Sequence, residues 1–118
     1  MELIGYKRLI VWQKTDELAL LIYKITASFP KSEIFSLTSQ LRRAALSVPT
    51  NIVEGYARNS RIEFKRFIVI ALGSLAETKY LLDVSFRLKY IDEGVCNKAM
   101  YVADESGRLL WKLYRSIK

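Results

Sequence analysis

The sequence predicts an all-α protein, an antiparallel up-down-up-down four-helix bundle forming one domain over residues 1–118. Three observations point there. Four segments hold apolar residues at the i, i+3, i+4, i+7 spacing of a helix with one buried face. Only 5 Gly and 2 Pro occur among 118 residues, which leaves long uninterrupted intervals. The connections are short, and a short loop between two helices makes them antiparallel neighbours.

The first helix is expected to start between Arg8 and Val11 and to run to about Ser28. Leu18, Leu21, Ile22, Ile25 and Phe29 point inward, and Pro30 stops the helix. Trp12 and Tyr23 read as partly buried core aromatics, with a role as contact aromatics the alternative. In the polar connection that follows, Ser32 or Ser36 is available to cap the second helix. That helix covers Leu37 to Arg58 and contains Pro49, whose ring removes a backbone donor and clashes with the Ala45 carbonyl. A bend at Val48 and Pro49 is expected; a break is the alternative, disfavoured because the stripes keep their phase on both sides.

Ser60-Arg61-Ile62-Glu63 has the spacing of a capping box and starts the third helix at once. Phe64, Phe67, Ile68, Ala71, Leu75 and Leu82 share one side of it. Ile70, Leu81 and Val84 fall outside that stripe, which implies packing partners on more than one face. Gly73 and Ser74, in mid-helix, would let another backbone approach closely. After a connection near Tyr90 to Gly94, with Asp92 as cap, the fourth helix runs from about Val95 to Tyr114. Ala99, Val102, Ser106, Leu109 and Leu113 turn inward.

The second helix carries two opposed stripes. The apolar one is Leu37, Leu41, Ala44/Ala45, Val48 and Ile52. The polar one, Gln40, Arg43, Ser47, Asn51, Glu54 and Arg58, falls within a sector of about 80°, so each side chain can reach the next one turn away. Glu54 and Arg58 can pair, and Arg43, Ser47 and Asn51 can extend the pair into a network. Such a stripe serves either as a satisfied seam between helices or subunits or as a contact for a ligand or nucleic acid through Arg43, Asn51 and Arg58.

Net charge is +7, from 19 basic and 12 acidic side chains. The densest basic cluster is Arg58, Arg61, Lys65 and Arg66, at the turn between the second and third helices. A second set, Arg108, Lys112, Arg115 and Lys118, shares a face near the end of the fourth helix, where cations also complement the helix dipole. Both sets are candidates for phosphate contact, and a ring of subunits would repeat them around one rim.

Enzyme chemistry is poorly provided for. The chain has no His, which excludes a Ser-His-Asp triad, a Cys-His pair and the Glu-x-x-His di-iron motif of some bundles. No Gly-rich phosphate loop is present. The adjacent acidic pairs at Asp16, Asp92 and Asp104 diverge on a helix and form no dyad. Cys96 has no neighbouring cation in sequence and reads as a small buried apolar residue. No catalytic residue, metal site or cofactor is expected. A single Cys excludes an intramolecular disulfide. The N-terminal residues lack a signal-peptide pattern, and no apolar run nears the roughly 18 residues of a membrane span. A cytoplasmic protein without membrane contact is therefore expected, and its 51% apolar content suggests some surface buried between subunits.

The strings VWQK (11–14), FPKSE (29–33), LTSQLRRAALSVPTNIVEGYAR (37–58) and FKRFIVIALGSLAE (64–77) resemble the four-helix-bundle family of 23S rRNA intervening-sequence proteins. The resemblance covers about residues 9–91, and the Q-L-R-R-A…S-V-P-x-N-I-x-E-G segment is its most specific part. It implies a homopentameric ring of bundles. The accessory proteins of diversity-generating retroelements look like distant relatives that bind nucleic acid and reverse transcriptase. Family motif positions fall on Gln40, Arg43, Ser47, Pro49, Asn51, Glu54, Gly55, Arg58, Gly73, Ser74 and Glu77; none is an established catalytic residue. Ser36 stands where Gly is frequent and Val53 where Ala is frequent. The expectation is a non-enzymatic oligomer that associates with RNA or a ribonucleoprotein; the alternative is a ring that serves as a scaffold for another protein.

Overall fold

The computed structural model describes residues 4–118, which form four α-helices and, among the described residues, no strand. The helices are α1 (Ile10–Thr26), α2 (Leu37–Ala57), α3 (Arg61–Arg87) and α4 (Glu93–Ser116). Each packs on two neighbours: α1 on α2 and α4, and α3 on α2 and α4, with no close backbone contact across either diagonal. Side-chain contacts join the neighbours, the first of them tying the end of α1 to the start of α2. Arg42 Nε donates to Thr26 Oγ1 at 2.7 Å, Lys79 pairs with Asp104 at 2.6 Å, and Lys14 pairs with Glu105 at 3.5 Å. The result is the expected up-down-up-down bundle.

The predicted stripes are the core. Leu18, Ile22, Leu41, Val48, Ile52, Ile68 and Leu82 are fully buried. Leu81 is buried as well, and Leu110, absent from the predicted face of α4, lies at its centre. Both follow from a bundle geometry that gives each helix two neighbours and so a wider buried sector than a single stripe. Cys96 is buried; desolvation, then the nearby Asp83 and Glu93 carboxylates, push its thiol up, as suits an inert core residue.

Helix ends follow their local chemistry. α2 runs unbroken through Pro49, so the break is excluded. The Ser60 hydroxyl accepts from the Glu63 amide at 3.3 Å and the Asp92 carboxylate accepts from the Val95 amide at 2.8 Å, as predicted. Ser36 precedes α2, but its hydroxyl donates to Glu33 Oε1 at 2.6 Å instead of capping the helix. The Tyr90 hydroxyl donates to the other oxygen of Glu33 at 2.8 Å, tying the α1–α2 connection to the α3–α4 connection. The Ser36 and Tyr90 bonds, with a smaller contribution from the Leu37 amide, hold the Glu33 carboxyl below its ordinary value.

The close approach expected at Gly73 falls at another glycine. A Cβ on Gly73 would meet nothing within 4 Å, so no backbone of this chain approaches it. A Cβ on Gly55 would lie 2.8 Å from Phe67 Cβ and 2.9 Å from Phe64 Cδ1. Close approach of α2 and α3 is therefore set at Gly55, just before the turn that carries the basic cluster. Asn59 makes that turn with a left-handed backbone, φ 53°, a conformation Asn tolerates better than most residues.

Candidate functional site

The antiparallel arrangement places the end of α2, the start of α3 and the end of α4 at one pole of the bundle. There Lys65 Nζ sits 4.4 Å from the centre of the Tyr114 ring, and a cavity of about 370 Å³ is lined by Arg61, Phe64, Ser116, Ile117 and Lys118. The two basic sets, far apart in sequence, thus become one surface. Arg58, Arg61, Arg66, Arg108, Lys112 and Arg115 are all exposed, and Lys65 is half-buried. Glu63 is the carboxylate within reach: it binds Arg66 at 3.1 Å and Arg58 at 4.0 Å. Among the described residues Arg61, Arg108, Lys112 and Arg115 enter no ion pair.

A 3-10 turn at Gly5–Arg8, packed on α1 and α2, adds Lys7 and Arg8 to this pole. Sequence reading missed both, because only the direction of α1 brings them there. A cut through the middle of all four helices measures the asymmetry. One half, residues 4–17, 48–73 and 105–118, holds eleven Lys and Arg and five carboxylates. The other described residues hold eight and six. Most of the excess charge of the chain therefore lies at one pole.

The polar stripe of α2 divides. Its centre is a short seam with α3: the Ser47 and Ser74 hydroxyls lie 2.8 Å apart, and Asn51 Nδ2 donates to the Ser47 carbonyl at 2.7 Å and to its hydroxyl at 2.9 Å. The expected Glu54–Arg58 pair does not form. Arg58 closes α2, and its guanidinium lies over the Phe67 ring, 5.1 Å from the centroid, facing Glu63. Arg43 likewise stays out of the Ser47–Asn51 network. Gln40, Arg43, Ser47 and Glu77 instead line an open groove of about 480 Å³ between α2 and α3, with Phe35 at its edge. Neither Arg43, Glu54 nor Glu77 has an ion-pair partner among the described residues.

Among the described residues no three His, Cys, Asp or Glu side chains stand close enough to hold a metal ion, and no helix is long and apolar enough to cross a membrane.

Fold and site together define a four-helix bundle with one strongly basic pole. The chain belongs to the 23S rRNA-intervening sequence protein family, whose model matches residues 7–112. It is also similar to a crystal structure of a protein with unknown function from the S23 ribosomal protein family of Bacteroides thetaiotaomicron VPI-5482. That likeness has 28% identity and a TM-score of 0.80 over 89% of this chain and 98% of the other. No curated protein matches the chain.

Proposed function

We propose that this protein is a non-enzymatic cytoplasmic oligomer that associates with RNA through its basic pole. The observation that carries the reading is the charge asymmetry: eleven cations against five carboxylates in one half of the bundle, and eight against six in the other. Solvation alone needs no such segregation, whereas a polyanion gains from every cation that faces it at once. Membership of a family named for 23S rRNA agrees with the reading.

Assembly into a homo-oligomer, a ring of five by the sequence resemblance, would multiply the pole. In support, the face of α3 turned away from the core exposes Ile62 (80%), Val69, Ile70 and Tyr80, with open space over Gly73. The same face supports a second reading, a scaffold that binds another protein there without contacting nucleic acid.

The test is binding of structured RNA, duplex DNA and heparin across a salt series, with particle mass followed by light scattering. Preference for RNA, with log K falling linearly in log salt and a shallower slope for Arg61→Glu and Lys65→Glu, is the expected result. Weak, equal binding to all three by an intact oligomer refutes it and leaves the scaffold.

A further inference from the structure

We propose that the basic pole binds unpaired nucleotides, with Trp111 as a stacking platform for a base; this rests on the reading of the pole as an RNA contact. Trp111 is 47% exposed and lies outside the set of partly buried apolar residues that pack on the core. It meets the Tyr114 ring edge to face, centroids 5.7 Å apart at 82°, and the Lys65 ammonium lies over the same Tyr114 ring. On α4, Arg108 and Arg115 stand at i−3 and i+4 from Trp111, on its side of the helix, and Lys112 follows directly. All three cations are exposed and unpaired among the described residues.

The surroundings decide what the indole can receive. An apolar protein surface covering it would also desolvate Arg108, Lys112 and Arg115, and buried unpaired charge is costly. A single-stranded nucleic acid suits both parts: a free base offers its π-face to the indole while neighbouring phosphates meet the cations. A duplex offers only the phosphates, since its bases are already stacked on each other. Tyr101 is the internal contrast. It is more exposed, at 63%, but Lys98 is the one cation a turn away on its helix. Asp104 and Glu105 on the other side are carboxylates paired with Lys79 and Lys14, so no run of unpaired cations on that helix face is there for a phosphate chain.

The experiment uses the full chain carrying Trp12→Phe, so that Trp111 is the sole tryptophan. Its fluorescence is followed during titration with a short single-stranded RNA, the single-stranded DNA of the same sequence, the RNA duplex and heparin. Quenching by the RNA strand, alone or together with the DNA strand, and tighter binding of the strand than of the duplex are expected. Trp111→Leu should weaken single-strand binding about tenfold, within the range that base–aromatic stacking carries. It should leave heparin binding and the thermal midpoint in place, and Trp111→Phe should restore most of the loss. Tyr101→Ala should change nothing. Salt-sensitive binding without quenching, or equal loss for strand and duplex in Trp111→Leu, overturns the platform while leaving the basic pole intact. Absence of salt-sensitive binding to any polyanion refutes the underlying reading instead.

Discussion

Replacing Gly55 with Ala sets two well-calibrated effects against each other. In a helix interior Ala is favoured over Gly by about 1 kcal/mol, so an unobstructed site would be stabilised. At Gly55 the new methyl would stand 2.8 Å from Phe67 Cβ and 2.9 Å from Phe64 Cδ1. The Phe64 ring can swing aside. Phe67 Cβ is bonded to the α3 backbone and cannot move alone, so α2 and α3 must separate by several tenths of an ångström along a seam that includes the Ser47–Ser74 hydroxyl pair. Overpacking of this kind costs about 1–3 kcal/mol, and a value near the middle leaves a net loss of about 1 kcal/mol after the propensity gain. For a chain of this size that lowers the thermal midpoint by about 4 °C, readable by far-UV circular dichroism. A midpoint equal to or above that of the parent protein would refute the reasoning, because it would mean that the helices close over the extra methyl without strain. The same separation displaces Arg58 and Arg61, so RNA binding should weaken in parallel.

Tyr90→Phe removes the phenol from Glu33. The carboxyl, depressed in the folded chain, contributes stability above its ordinary value near 4.5 that is lost as pH falls through the folded value. The phenol, raised above its ordinary 10.0 by the Glu33 bond, by desolvation and by the carboxylate charge, contributes below that value and loses its contribution as pH rises through the folded value. The midpoint difference between parent and variant should therefore be widest near neutrality and narrow at both extremes; a constant difference across pH would refute the coupling. Thr38 is 4% exposed and its hydroxyl has no hydrogen-bond partner. Thr38→Val should accordingly stabilise by about 1 kcal/mol in urea unfolding, and a loss would show that the hydroxyl is satisfied in solution. Asn51→Leu deletes two bonds to Ser47. It should shift particle mass in light scattering more than it shifts RNA affinity of the assembled form; native mass after that change would count against a seam that supports assembly.

Helix content, helix order and most of the core were legible from apolar spacing, because a helix that buries one face must repeat apolar residues at its own period. The caps at Ser60 and Asp92 were legible for the same local reason: the donor satisfied lies three residues away. Partner choice within the polar stripe was not. Spacing allows Glu54 to reach Arg58, but Arg58 takes Phe67 and Glu63 because the tight turn at Asn59 brings α3 against it.

The sequence by itself determined that four amphipathic helices form and that cations exceed carboxylates by seven. Only the tertiary structure decided where that excess lies. Antiparallel packing gathers Lys7, Arg61 and Arg115 at one pole and leaves Trp111 exposed among the cations there, since charges distant along the chain become neighbours only when helix direction is fixed. It likewise decided that Gly55, and not Gly73, is the glycine that close packing requires.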